Sequence, residues 1–239
     1  MEDGQSHMTQ LREDMQVLRA ELRDSVELVI AKPMFRGFLH LVSCFVAAAA
    51  AVLLALEATG RVQLVSSVIY GTGLTLALAT SAVYHRGNWR PRMHAIMQRI
   101  DHSMIFVLVA ATYTPVLMAG LSGALRAWSM VIIWTLALGG IVLRVTWYHL
   151  PRAVLVASYV VFGWIALAFA PLLVGHISLR VGLLMVIGGV LYTVGALVYA
   201  GKRPDPLPRI FGYHEVFHTF VVAAACCHFF AVMPLVTAR

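Results

Sequence analysis

The octapeptide YHEVFHTF, residues 213–220, contains His-Glu-x-x-His, the spacing with which soluble metalloproteases hold zinc on a helix. His214 and His218 are four residues apart, so on a helix they sit about 40° apart on one face, and both imidazoles can reach a single ion. Two ligands do not complete a site. The segment that follows, TFVVAAACC, offers no third, and His228 lies about 15 Å deeper by helical rise and on a different face. His228 reads as a buried, hydrogen-bonded histidine, so the third ligand has to come from another helix. The competing reading is two histidines that merely mark the interfacial end of a helix.

The elements that must position these side chains are membrane helices. After the motif the chain stays apolar for about the length of a bilayer crossing. Of the 239 residues, 60% are hydrophobic and 12% charged, half the charge of an ordinary globular chain. Apolar runs predict seven spans, near 36–57, 62–85, 102–120, 127–147, 153–174, 179–200 and 214–236. The loops between them are short, so no soluble domain fits among them. The chain divides into a cytoplasmic tail, 1–35, and a seven-helix transmembrane domain, 36–239: an all-α integral membrane protein whose bundle is the functional unit. Pro115 and Pro171 are expected to kink their helices.

Lys and Arg near the spans set the orientation. Lys32, Arg36, Arg86, Arg90, Arg92, Arg99, Arg144, Arg152, Lys202, Arg203 and Arg209 fall on the N-terminal side, against Arg61, Arg126, Arg180 and Arg239 on the other, which predicts a cytoplasmic N-terminus. The net charge of +7 is then juxtamembrane charge facing anionic lipid, and no nucleic-acid partner is expected. Met8, Leu11, Met15, Leu18, Leu22 and Val29 recur at heptad-like spacing, predicting an amphipathic helix over 8–30; three heptads are short for a coiled coil, so it reads first as a solvated helix leading into the first span, and otherwise as one that lies on the membrane or pairs with itself in a homo-oligomer. No cleavable signal peptide is expected, because this tail is charged. Cys44, Cys226 and Cys227 form no Cys-x-x-Cys pair and read as packing residues. Lys32 and Lys202 both lie outside the spans, which excludes a retinal Schiff base.

Chain parity brings the end of span two, the start of span three and the start of span seven to one leaflet. Those places hold SAVYH (81–85), RIDHS (99–103) and YHEVFH (213–218), so Ser81, His85, Asp101, His214 and His218 converge at similar depth. His40, His94, His102 and His149 fall on the same side, and parity does not choose among them. His94 and His149 read as loop residues, His40 and His102 as interfacial residues or partners of a ligand. Asp101 can also be a plain helix cap. Gly71 and Thr75, deeper on the helix of Ser81, would ease close packing.

SAVYH, RIDHSMIFVLVAATYTP and HEVFHTFVVAAACCHF, in this order and spacing and with the KPMFRGFLH entry to the first span, resemble the haemolysin III proteins of bacteria, relatives of the progestin and adiponectin receptors and similar to the alkaline ceramidases. The likeness covers nearly all of 32–236. It implies a bundle in the bacterial inner membrane with a zinc ion near the cytoplasmic side, held by His85, His214 and His218, with Asp101 and Ser81 beside the water. Three neutral imidazoles leave zinc one open tetrahedral position, at which a bound water ionises near pH 7. The ceramidase likeness implies hydrolysis of a membrane lipid amide, with Asp101 a better proton acceptor than Glu215. Two other expectations are a membrane-perturbing or pore-forming haemolysin, and a receptor or regulator of membrane state with structural zinc.

Overall fold

The computed structural model describes residues 10–11, 14–16, 18–19, 33–147 and 151–237. Eight helices are described from Phe38 onward: α1 (Phe38–Leu56), α2 (Arg61–Arg86), α3 (Pro91–Gly120), α4 (Gly123–Thr146), α5 (Arg152–Trp164), α6 (Ala166–Leu173), α7 (Leu179–Gly201) and α8 (Tyr213–Thr237). With α5 and α6 counted as one, they make seven helices long and apolar enough to cross a membrane, and no strand occurs among the described residues. In hydrocarbon every backbone N–H and C=O must be satisfied within its own segment, which leaves helices as the solution for runs of this composition. Side chains such as Phe45, Leu56, Leu138, Val161 and Leu197 are more than half exposed, an arrangement suited to lipid and not to water.

Two boundaries differ from expectation. The third helix starts at Pro91, eleven residues before the predicted span, because Pro at the first helical position is already set for the helix and its missing N–H costs nothing there. His94 therefore rides on a helix and meets the Tyr84 hydroxyl at 3.3 Å. The fifth span breaks at Ile165, six residues before Pro171, where Ile165 and Ala168 donate to carbonyls three residues back. The Tyr113 hydroxyl of α3 donates to the Gly163 carbonyl beside this break. Of the expected tail helix, residues 10–11, 14–16 and 18–19 are helical, with Leu11, Met15 and Leu18 exposed; Met8, Leu22 and Val29 lie outside the described residues.

α3 is the centre of the bundle: 67% of its apolar window is buried, against 22–39% for the other spans. It packs on α2, α4 and α8, while α8 touches α1, α2, α3 and α7. Lipid tails are as apolar as the side chains, so the helices are held by close van der Waals fit. A Cβ on Gly71 would stand 2.4 Å from the Ala51 Cβ, so α1 and α2 approach as closely as they do only with glycine there. Tyr70, Leu74, Leu78 and Val232 form one core between α1, α2 and α8, and Phe106, Tyr113, Ile133 and Phe162 a second between α3, α4 and α5.

Candidate metal centre

α2 ends by presenting Ser81 and His85, one turn apart, and α8 begins by presenting His214 and His218 at the same spacing. The start of α8 is built by two carboxylates. The Asp205 Oδ1 accepts from the Tyr213 N–H at 2.7 Å, and the Glu215 Oε2 accepts from the Gly212 N–H at 2.9 Å. The second contact is the reach-back half of a capping box, which satisfies an orphan donor at a helix start. The other oxygen of Glu215 accepts from the Arg36 Nε at 2.5 Å, and Glu215 is 1% exposed. Glu215 is thus committed on both oxygens.

Arg36 belongs to the segment entering α1, which docks on the loop before α8 through Met34 N–H to Arg209 O (3.1 Å) and Phe35 N–H to Ile210 O (3.2 Å). Gly37 follows in the left-handed region, φ +74°, where a Cβ would stand 2.8 Å from the His85 Cβ. The entry segment therefore lies directly against the end of α2, and any side chain at position 37 would push on His85.

His85, His214 and His218 are all buried, and one nitrogen from each lies within 4.8 Å of the other two. The Nε2 atoms of His85 and His214 are 3.2 Å apart. That is hydrogen-bond contact between the two rings, and it is also close to the roughly 3.3 Å that separates two ligands of a tetrahedral ion at about 2.0–2.1 Å. The rings of His85 and His218 are 5.0 Å apart and those of His214 and His218 4.6 Å, all three steeply inclined to one another. Three buried imidazoles this close together could hold a metal ion. Asp101 Oδ2 lies 3.8 Å from the His85 Nε2, beyond hydrogen-bond range, with the Ser81 side chain beside the Asp101 carboxyl. The five residues expected to converge do so.

The remaining candidates separate by contact. His40 stacks flat on His218, rings 3.8 Å apart and 1° from parallel, and both its ring nitrogens are buried without a hydrogen-bond partner. It fixes the plane of the His218 ring. The His102 Nδ1 accepts from the Arg144 Nε at 3.2 Å, which turns it from the cluster to α4. His228 meets the Met185 carbonyl at 3.2 Å and lies on Gly188, where a Cβ would overlap its ring at 2.3 Å, so it is the packed, bonded histidine expected. His149 lies outside the described residues. The Arg36–Glu215 pair escaped the sequence reading, although an acid inside a membrane helix demands a partner and KPMFRGFLH placed a cation at the same leaflet.

Comparison with known proteins gives a consistent picture. Residues 28–229 match the profile of the family described as haemolysin-III related. Over 173 residues the chain is 34% identical to the hemolysin-3 homolog of Bacillus subtilis (strain 168), covering 72% of this chain and 77% of that one. Over 174 residues it is 33% identical to hemolysin-3 of Bacillus cereus, covering 71% and 74%. The human monocyte to macrophage differentiation factor is 27% identical over 170 residues, 69% of this chain and 67% of that one.

Proposed function

This chain belongs to the haemolysin-III-related family, and from that premise we propose that its histidine cluster binds zinc and that the bundle hydrolyses an amide bond of a membrane lipid. The observation that carries the reading is the buried three-imidazole group, nitrogens within 4.8 Å of one another, with a carboxylate and a hydroxyl beside it. The excess of Lys and Arg on this leaflet supports a site at the cytoplasmic face of a bacterial inner membrane.

His85, His214 and His218 would hold the ion. Zinc bound there supplies a Lewis acid for the carbonyl and brings the pKa of a water to about 7. Asp101, 3.8 Å from His85, takes the proton of the attacking water and returns it to the leaving amine. The Ser81 hydroxyl, against that carboxyl, donates to the oxygen on which charge develops. Glu215 cannot act as base while Arg36 and the Gly212 N–H occupy it. His40, stacked flat on the His218 ring, would hold that ring in place.

Elemental analysis of purified protein is expected to find about one zinc per chain in the wild type and none in His214→Ala. Fatty acid should be released from ceramide-like lipids by the wild type and not by His85→Ala. Zinc without turnover of a broad lipid panel would leave the site and remove the enzyme. In that outcome zinc is structural in a receptor or regulator of membrane state, a reading favoured by the way the cluster joins α2 to α8 across 129 residues of chain. A pore is disfavoured despite the relatives' name, because hydroxyls inside the spans, such as Ser66, Ser67, Thr112 and Thr114, bond to carbonyls of their own helices rather than lining a path.

A further inference from the structure

Two sets of side-chain contacts hold the start of α3, one from each neighbouring helix, and no step of the proposed hydrolysis uses them. On one flank the Tyr84 hydroxyl of α2 lies 3.3 Å from the His94 Nε2. On the other, the Arg144 Nε of α4 donates to the His102 Nδ1 at 3.2 Å and its Nη2 to the Gln98 Oε1 at 3.3 Å. At about 100° per residue, His94 and Asp101 stand about 20° apart on one face of α3, and Gln98 and His102 about 40° apart on a face about 70° further round. The first face meets α2, where Asp101 Oδ2 lies 3.8 Å from the His85 Nε2. The second meets α4. Asp101 therefore sits within the turn whose two ends, Gln98 and His102, are bonded to Arg144.

Stability alone does not account for Arg144. An arginine at a helix end in a membrane ordinarily extends to the interface, where its charge stays hydrated. Arg144 is 7% exposed and turns inward to two neutral acceptors. Burying a guanidinium without a carboxylate is costly, so the position is explained by what the group holds. Gly140, one turn earlier, lets α4 lie directly on α3, since a Cβ there would stand 2.4 Å from the Phe106 ring. Tyr84 is fixed as firmly. It is buried, its carbonyl accepts from the Trp89 Nε1 at 3.0 Å, and the Trp89 ring covers Gly87, where a Cβ would stand 2.4 Å from it. The turn between α2 and α3 is thus folded back onto Tyr84, the residue before His85.

We infer that Arg144 and Tyr84 are positioning residues that clamp the Asp101 turn of α3 between α4 and α2 and so set the distance from Asp101 to His85. The inference rests on the proposed hydrolysis, in which Asp101 moves a proton beside a metal held by His85. A proton carrier has to stay within hydrogen-bond reach of the water it serves, and a displacement of about 1 Å costs on the order of a hundredfold in rate. α3 begins at Pro91, so its first turns have only side-chain contacts with α2 and α4 to hold them in place across the bundle. Arginine suits the task because its nitrogens form a rigid planar fork that bonds two side chains one turn apart, whereas a lysine ammonium is a single point on a flexible stem.

The test compares purified full-length wild type with Arg144→Met, Arg144→Lys and Tyr84→Phe, each made also in an Asp101→Asn background. Fatty-acid release from a ceramide-like lipid gives kcat and KM, and zinc content, melting temperature and amide hydrogen exchange over residues 91–103 are measured beside it. Arg144→Met should lower kcat about tenfold and Tyr84→Phe about fivefold, with KM and zinc unchanged. Arg144→Met should melt no lower than wild type, because it removes a buried charge that lacks a counter-ion. Arg144→Lys should recover part of kcat, and both other variants should exchange the amides of 91–103 about fivefold faster. In the Asp101→Asn background neither Arg144→Met nor Tyr84→Phe should slow residual turnover further. An unchanged kcat, or a loss that persists without the Asp101 carboxylate, overturns the inference. A wild type that releases no fatty acid removes the hydrolysis and leaves exchange to decide: faster exchange in both variants supports the clamp, and unchanged exchange overturns it. Should Arg144→Met fail to fold, Tyr84→Phe and Arg144→Lys decide alone.

Discussion

At the scale of the residue, the instructive position is Glu215. In a soluble metalloprotease the acid between the two histidines activates water. Here the same spacing puts a carboxylate at the start of a membrane helix, where it closes a backbone cap and neutralises Arg36. Glu215→Gln is expected to lower stability by about 2 kcal/mol, below the roughly 3–5 kcal/mol of a fully buried pair because the Arg36 side chain is 21% exposed. Zinc content should not change, and Arg36→Gln in the same chain should recover much of the loss. Denaturation monitored beside elemental analysis checks this. A variant that kept its stability and lost turnover would return Glu215 to the chemistry.

At the scale of the element, the site depends on a segment that carries no ligand. The entry to α1 is bonded to the loop before α8, and Gly37 lies on His85. Gly37→Ala meets two penalties: left-handed backbone, about 1 kcal/mol for a residue with a Cβ, and overlap with the His85 Cβ at 2.8 Å. Gly123 has the same backbone sign, φ +55°, and nothing within 4 Å of a Cβ, so Gly123→Ala isolates the first penalty. Both variants should lose comparable melting temperature from strain, with Gly37→Ala losing more and also losing zinc. Equal zinc content in the two would show that the entry segment does not hold His85 in place.

At the scale of the whole molecule, a metal held by His85, His214 and His218 would link the end of the second crossing to the start of the seventh, and a ligand that binds only the folded state stabilises it by mass action. At a thousandfold excess over its dissociation constant the gain is about 4 kcal/mol. Chelation is therefore expected to lower the melting temperature of the wild type and to leave His85→Ala, already low, unmoved. Identical shifts in both would mean that the chelator acts elsewhere. α8 carries two of the three cluster histidines and packs on α1, α2, α3 and α7, so the loss should be cooperative rather than confined to one rim.

What the sequence determined by itself was everything that depends on local run length and spacing: seven apolar runs, the same-face pairs Ser81/His85 and His214/His218, and the leaflet that brings them together with Asp101. A bilayer makes such features decisive, because a run of about 20 apolar residues has one way to satisfy its backbone. Tertiary structure alone decided the contacts across the bundle. His40 lies flat on His218, Glu215 is claimed by Arg36, and Arg144 faces inward, each through packing between segments 42 to 179 residues apart in the chain. The break at Ile165 and the early start at Pro91 belong there too, since both turn on which backbone groups find partners in neighbouring turns or helices. Spacing along one helix reports which residues share a face; it carries no record of what that face will meet.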